Sequence, residues 1–506
     1  MRATLRRAKN SSCLPVFREQ PEACEEGITR RRPRRNFLPV RTPSITRRCV
    51  VIGLLWAVAV AGAGQSRGSP VAVGAARIDI TPDVPIRLSG YQSRPAEATR
   101  IAAPLTARAI AIGSDAEGPV VLIVAEVIAV SEELSDAVVA GIRARHPIPR
   151  ERIAVCATHQ HTGPSIAGTI PFMFSRDLPA DERDRIERYT AMLRQKLIEV
   201  ALAALADRQP ARLAWAQGRA EFAVNRRNIV DGKWTGYKAT PGGPVDHALP
   251  VLRAVDERGA VRAVLVNYAC HCTTLKGGDN VVHPDWAGEA ASRIEEAHAG
   301  GVALVAIGCG ADSDPQPRGM NEVATHGKTV AAEVARLLAG EMRAVGRVTH
   351  AGFRRIELPL ARRVGREELE ARLKRPAHIA YAAAQFLRQL DAGRALPAAV
   401  GYPVQTWTFG DEFAMVFLGG EVVAEYALRL KRELGAARLW VNAYSNHVPC
   451  YIPSRQVLGE GGYEAEHAMD YYGLPTRLAE DTEDRIVGTV HALLPAEFAK
   501  GTARGR

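Results

Sequence analysis

Val261-Arg262-Ala263-Val264-Leu265-Val266-Asn267-Tyr268 runs into Ala269-Cys270-His271-Cys272, and Val302-Ala303-Leu304-Val305-Ala306-Ile307 runs into Gly308-Cys309-Gly310-Ala311-Asp312. Each is a short apolar run rich in β-branched residues that stops at polar or glycine punctuation. Helical periodicity separates them over Trp286–His298 and follows them over Thr325–Met342. Strand, helix, strand, helix is the signature of an α/β fold. The pattern holds outward in both directions. Upstream, Val120–Val130 reads as a buried strand, Ser131 as the cap of a helix over Glu132–His146, and Ile153–Thr158 as a second strand. Asp181–Arg208 reads as a long amphipathic helix, with Ile186, Tyr189, Met192, Leu193, Leu197 and Val200 at helical spacing. Downstream, the strand Ala414–Leu418 leads into a helix over Val422–Leu434 and a strand over Leu439–Ala443. The expected fold is α/β, a mixed or largely parallel sheet with flanking helices in a single catalytic domain. No internal repeat, heptad array or Pro/Gly/Ser-rich linker interrupts it.

The chain has 506 residues, of which 47% are apolar, 24% charged and 6% aromatic. This mix excludes a disordered tail protein, a fibrous repeat and a membrane-embedded transporter. The net charge of +11 is misleading until it is mapped. Residues 1–48 hold thirteen Arg or Lys against four Glu, which is +9 of the total and leaves +2 for everything else. The folded part is near neutral, and no nucleic-acid partner is expected. The basic head abuts Cys49–Ala61, an apolar run too short to span comfortably, followed by the cleavage-like triplet Ala61-Gly62-Ala63. That anatomy is a secretory signal, so residues 1–63 are expected to be a leader and the mature, exported form to begin near Gly64. Thr46-Arg47-Arg48 loosely resembles a twin-arginine signal. Five cysteines remain beyond the leader, Cys156, Cys270, Cys272, Cys309 and Cys450. Their odd number and spacing make no disulfide framework and no CxxC site, so they are expected as small buried hydrophobes.

Polar punctuation falls where strands end, which is where open α/β sheets place their sites. In Thr158-His159-Gln160-His161-Thr162-Gly163-Pro164 an extended backbone would put His159 and His161 on one face. Paired imidazoles suit zinc, or a ligand with a catalytic partner, and equally suit two hydrogen-bonded structural histidines. His271 ends a second strand between two thiols, and Asp285 in His283-Pro284-Asp285 either supports a site or turns the chain. Asp312-Ser313-Asp314-Pro315 carries paired carboxylates. Gly419-Gly420-Glu421 puts a carboxylate at a helix start, where simple capping is also a fair reading. His447-Val448-Pro449-Cys450-Tyr451 follows, with Tyr463 twelve residues on. There is no HExxH, GxSxG, Walker loop or GxGxxG after a strand.

Together these segments resemble the neutral/alkaline (non-lysosomal) ceramidase family, from about Val73-Gly74 to about Leu494. The resemblance is carried by Gly74–Pro82, Leu88-Ser89-Gly90-Tyr91 and His159-Gln160-His161-Thr162-Gly163-Pro164, which is similar to the family's HTHSGP stretch. Asn225-Arg226-Arg227, Gly420-Glu421-Val422, Tyr451-Ile452-Pro453-Ser454 and Gly462-Tyr463-Glu464 continue it in order. The resemblance implies a ceramidase-like catalytic domain over residues 74–497, with residues 498–506 as a short tail. It also implies one zinc ion per chain, held by His159, His271, Glu421 and Tyr451, with His161, Arg226 and Tyr463 on the substrate side. Two nitrogens and a carboxylate with room for water is a hydrolytic rather than a structural ligand set. One departure stands out. The family's GDxSPN motif, whose Ser is required for catalysis, aligns so that Asp314 occupies the Ser position and Gln316 the Asn.

The function expected is therefore that of an exported, zinc-dependent hydrolase of a linear N-acyl amide, ceramide or a related N-acyl lipid, acting through metal-activated water with Asp314 as the catalytic carboxylate. The alternatives are a zinc hydrolase of another amide or ester, such as a cell-wall or glycan substrate, and a non-catalytic metal-binding protein of the same fold. The expected partners are the small-molecule or lipid-like substrate and, peripherally, a membrane surface.

Overall fold

The computed structural model describes residues 69–500, so the basic leader, its apolar run and the cleavage-like triplet lie outside the described residues. Eight strands form the main sheet in the order Val302–Ile307, Val261–Tyr268, Ala248–Val255, Gln209–Arg219, Val71–Asp79, Thr106–Ile112, Val120–Ala125, Ile153–Ala157, and Arg343–Val345 adds to Gln209–Arg219 as a ninth. The sheet is mixed. Its two outer pairs are parallel, Val261–Tyr268 with Val302–Ile307 and Val120–Ala125 with Ile153–Ala157, and the inner pairs are antiparallel. Parallel neighbours need a crossover, and the helices Asp285–Ala297 and Glu132–Arg143 supply them. Ser131 caps the second of these, its hydroxyl accepting from the Leu134 N–H.

A second sheet runs His350–Pro359, Ala399–Phe409, Phe413–Leu418, Leu439–Asn442. Its last pair is again parallel, with the helix Ala424–Leu434 in the crossover. One face of the main sheet packs on this second sheet, where Trp215 stacks on Phe413 with ring centroids 4.6 Å apart and Trp407, Phe417 and Trp440 are buried. Burying a side chain such as Phe413 is worth roughly 1.5–3 kcal/mol. The opposite face is covered by helices, chief among them Ala180–Ala206, which buries Ile186, Tyr189, Leu193, Leu197 and Val200. Phe498, at 1% exposure, closes the fold under the Arg438 guanidinium. Among the described residues no helix is long and apolar enough to cross a membrane.

The three parallel pairs end beside one another. A single segment, Ala443–Asn446, ties them: the Ala443 N–H donates to Ile307, Tyr444 to Gly420, Ser445 to Leu418 and Asn446 to Val155, while the Ala157 N–H donates to Tyr444. Asn446 holds its place by side chain as well, accepting from the Val155 N–H at 3.2 Å and donating to Gln405 at 2.8 Å, with a left-handed φ of 64°. Asn tolerates that backbone far better than most residues. Asn446→Ala is expected to cost on the order of 3 kcal/mol, from two lost buried hydrogen bonds and backbone strain. A denaturant melt showing less than about 1 kcal/mol would contradict this stitching role.

Candidate active site

The strand Ile153–Ala157 stops one residue short of the sequence-based expectation, and His159 turns the chain with φ 56°. His159 and His161 therefore do not converge by strand alternation. They converge because the turn brings His161 back, onto a backbone that carries no side chain. A Cβ on Gly90, whose φ is 90°, would lie 2.5 Å from His161 Cγ. Nε2 of His161 lies 3.2 Å from Nε2 of His159, which in turn lies 3.2 Å from Nε2 of His271. Glu421 Oε2 stands 2.9 Å from His159 Nε2 and 3.4 Å from His271 Nε2. His159, His271 and Glu421 are all at most 2% exposed, and His161 is half-buried.

This donor set fits a cation. His159 Nδ1 is 2.7 Å from the Ile128 carbonyl and His271 Nδ1 is 2.8 Å from the Gly310 carbonyl. A carbonyl only accepts, so each Nδ1 carries the proton and each Nε2 presents a lone pair to the cluster. Burial pushes the His161 and His271 imidazoles below their usual range, which keeps them neutral at pH 7. Tyr472 donates to Glu421 Oε1, and Oε2 has no hydrogen-bond donor among the described residues. Converging lone pairs and a carboxylate oxygen without a donor are what a bound metal ion would satisfy. The group His159, His161 and His271, its ligand atoms all within 4.8 Å of one another, is placed to hold one.

A charged network flanks the cluster. Arg226 donates from Nε to Glu464 at 3.0 Å, from Nη1 to Asp314 Oδ1 at 3.1 Å and from Nη2 to the Tyr451 hydroxyl at 3.2 Å. Arg227 reaches Glu464 at 2.5 Å and Glu460 at 2.9 Å. Tyr451 is paired with Glu421 across a short parallel ribbon, and its ring centroid lies 5.3 Å from that of Tyr463. Asp314 lies in the strand Ser313–Pro315, which pairs with Ala223–Asn225 and so adjoins Arg226. Burial would push the Asp314 carboxyl up, but the Arg226 and Arg318 guanidinium groups outweigh it and hold it below the usual range. Ser313, one residue earlier in the strand, keeps a buried Oγ without a hydrogen-bond partner among the described residues, and its carbonyl accepts from the His271 N–H at 2.9 Å.

Other polar residues prove structural. Asp285 accepts from the Trp286, Thr274 and Leu275 N–H groups and so fixes the loop after His271. Asp312 accepts from the Ala424 N–H at 2.9 Å and from Asn225 at 3.0 Å. His447 lies 3.7 Å from Glu132. The five cysteines among the described residues are buried and free, and burial raises the thiols of Cys270 and Cys272 well above their usual range. The sequence reading did not single out Tyr472, Tyr444 or Arg318. Tyr444 stacks on His159 at 4.3 Å, and Arg318 reaches Tyr91, whose ring in turn meets His161 edge-on at 4.9 Å. Tyr91 and Glu464 sit inside quoted motifs and were findable. Tyr472 and Arg318 had no local signal.

Residues 71–332 match the model of the neutral/alkaline non-lysosomal ceramidase N-terminal family. The chain belongs to that family. Among solved structures this family member is similar to the neutral ceramidase from Pseudomonas aeruginosa, with a TM-score of 0.63 and 18% identity over 85% of this chain and 74% of that one. It is also similar to a structure described as ceramidase complexed with C2, with a TM-score of 0.64 and 17% identity over 86% of this chain and 76% of that one. At such identities the likeness shows a shared fold. A search of curated proteins found no match.

Two expectations follow from this geometry. Gly90→Ala would drive a methyl into the His161 ring and push it off the cluster, so hydrolytic turnover should fall at least about tenfold, about 1.4 kcal/mol in barrier, while the far-UV spectrum is retained. The second concerns two buried acids. Burial, with the Glu464 charge beside it, pushes Asp312 up to about 6, and burial, with the Asp312 charge beside it, pushes Glu425 up to about 8. A carboxyl raised on folding holds a proton that the unfolded chain has lost, so its stabilisation is complete below about pH 4 and is lost as pH rises through those values. Glu425→Gln should therefore stabilise the protein by on the order of 2 kcal/mol at pH 9 and by little below pH 5. An unchanged stability difference between the two pH values would contradict it.

Proposed function

We propose that this ceramidase-family protein is an exported, zinc-dependent hydrolase of linear N-acyl amides, the class to which ceramide and related N-acyl lipids belong. The observation that carries this is the meeting of the His159 and His271 lone pairs with the Glu421 carboxylate beside the Arg226–Asp314 pair. His159, His271 and Glu421 would hold the ion, with Tyr451 as the family's further ligand. A zinc ion bound there would supply Lewis-acid polarisation of the scissile carbonyl and acidify a water.

The remaining work belongs to side chains. Asp314 Oδ1 is occupied by Arg226 and Thr273, which leaves Oδ2 to take a proton from the attacking water and return it to the leaving nitrogen. A carboxyl held below its usual range is ionised at neutral pH, ready to accept, and gives the proton up readily once it has it. Arg226, fixed by Glu464, supplies positive charge toward the developing oxyanion, and His161 and Tyr463 line the same side. Tyr472 orients Glu421 by occupying its other oxygen. Water replaces a serine nucleophile in this scheme, because the position aligned with the family's Ser carries Asp314.

Zinc-loaded protein offered a library of N-acyl amides should release fatty acid and amine. Asp314→Asn should lower turnover at least about tenfold, about 1.4 kcal/mol in barrier, while Ser313→Ala leaves it largely intact. A trapped acyl-Ser313, or full activity in Asp314→Asn, would overturn the mechanism. Metal content by mass spectrometry that is unchanged in His271→Ala would overturn the ligand assignment. For export, the secreted protein should begin between about residues 62 and 70, where signal anatomy ends. A secreted form retaining Arg47-Arg48 would refute it.

A further inference from the structure

Arg318 stands beside Asp314 with one nitrogen to spare. Its guanidinium is anchored on two sides: Nε donates to the Thr273 carbonyl at 2.6 Å, and Nη2 donates to the Tyr91 hydroxyl at 2.6 Å. Nη1 makes no hydrogen bond among the described residues. It lies 3.8 Å from Asp314 Oδ2, the oxygen that Arg226 and Thr273 leave free. That separation is too long for a hydrogen bond, so a donor and an acceptor lie side by side with neither satisfied by the other. Both side chains reach solvent, Arg318 at 25% and Asp314 at 13% exposure, so the pair can be approached from outside. Arg318 also immediately precedes Gly319, the N-cap of the helix Met320–Ala339, where the helix dipole favours negative charge.

We infer that this pair reads the leaving group, and that the substrates are N-acyl-α-amino acids, whose carboxylate binds Arg318 while their amide N–H faces Asp314. The inference rests on the amide hydrolysis proposed above, in which Asp314 Oδ2 serves the scissile nitrogen. Whatever is bonded to that nitrogen is then presented to Arg318 Nη1. In an N-acyl-α-amino acid one carbon separates the amide N–H from a carboxylate, a donor and an acceptor spaced to match the acceptor and donor of the protein. A neutral diol leaving group offers only hydroxyls there, and a charge-assisted hydrogen bond is roughly twice as strong as a neutral one. Because Nε and Nη2 are already fixed, little side-chain freedom remains to be lost when Nη1 binds. The reaction consumes one water: the C–N bond breaks, a C–O bond forms, the water's proton passes through Asp314 to the nitrogen, and the products are a fatty acid and a free amino acid.

The test compares N-octanoyl-L-alanine with N-octanoyl-L-alaninol, which replaces the carboxylate by a hydroxymethyl group, and with N-octanoyl-sphingosine. On the zinc-loaded full chain, kcat/KM for the alanine amide should exceed that for the alaninol amide at least about tenfold. Arg318→Ala should abolish that preference through KM. Arg318→Gln, which can still bond Thr273 or Tyr91, should abolish it too, so that a folding defect in one variant does not decide the result. Equal or faster hydrolysis of the alaninol amide or of the ceramide, or a preference that survives both variants, would overturn the inference and leave the amidase reading standing. If none of the three is hydrolysed, calorimetric binding of the same compounds decides. Alanine-selective binding lost in both variants would support carboxylate recognition while overturning the amidase reading, and unselective or absent binding would overturn the recognition itself.

Discussion

Everything at the centre of this molecule depends on one crossing segment. Ala443–Asn446 lies across the carboxyl ends of three parallel strand pairs drawn from two sheets, and satisfies backbone groups belonging to each. Those groups are buried where strands stop pairing, and an unpaired buried N–H or C=O costs about as much as a lost hydrogen bond. The segment meets that need and, in doing so, sets the distance between the turns that carry His159, His271 and Glu421. Tyr444, in the middle of it, lays its ring on His159. The same hydrogen bonds that close the fold therefore set the spacing of the candidate ligands.

The second constraint is electrostatic. Arg226 and Arg227 are buried beside Glu464, Glu460 and Asp314, in close reciprocal pairs. Removing charges from water is costly, and such a network is held only where each charge has its partner and its remaining hydrogen bonds. Its use here lies in position. Arg226 can direct positive charge at the site because Glu464 fixes its far side, and Asp314 stays ionised inside the protein because cations surround it.

On the alignment that the family resemblance implies, Asp314 is also where this chain parts from the family's pattern. A serine there would be neutral and would need no counter-charge. An aspartate in the same place is accompanied by Arg318 and by Thr273, each within reach of its carboxylate. The site around it is built for a fixed negative charge, and the proposed proton transfer through the carboxylate rests on that.

The sequence by itself determined the fold class, because strand and helix periodicities along Val261–Ala339 and Val120–Arg143 are local properties of the chain. It also determined the identities of His159, His271 and Glu421 as candidates, since each closes a strand-like run. It missed the half-exposed inner strands such as Gln209–Arg219, whose alternating burial is diluted by Arg and Gln. It placed the start of one helix late, at Thr325 rather than Met320. Only the tertiary structure decided how the candidates meet. The convergence of His161 on His159 comes from a left-handed turn and an unobstructed Gly90, not from strand alternation, and the partners Tyr472 and Tyr444 come from segments far from the residues they serve. Periodicity reports which face of an element is buried. Which buried faces end within bonding distance of one another is set by strand order and by the segment that ties the strand ends, and neither is written in any local stretch of the chain.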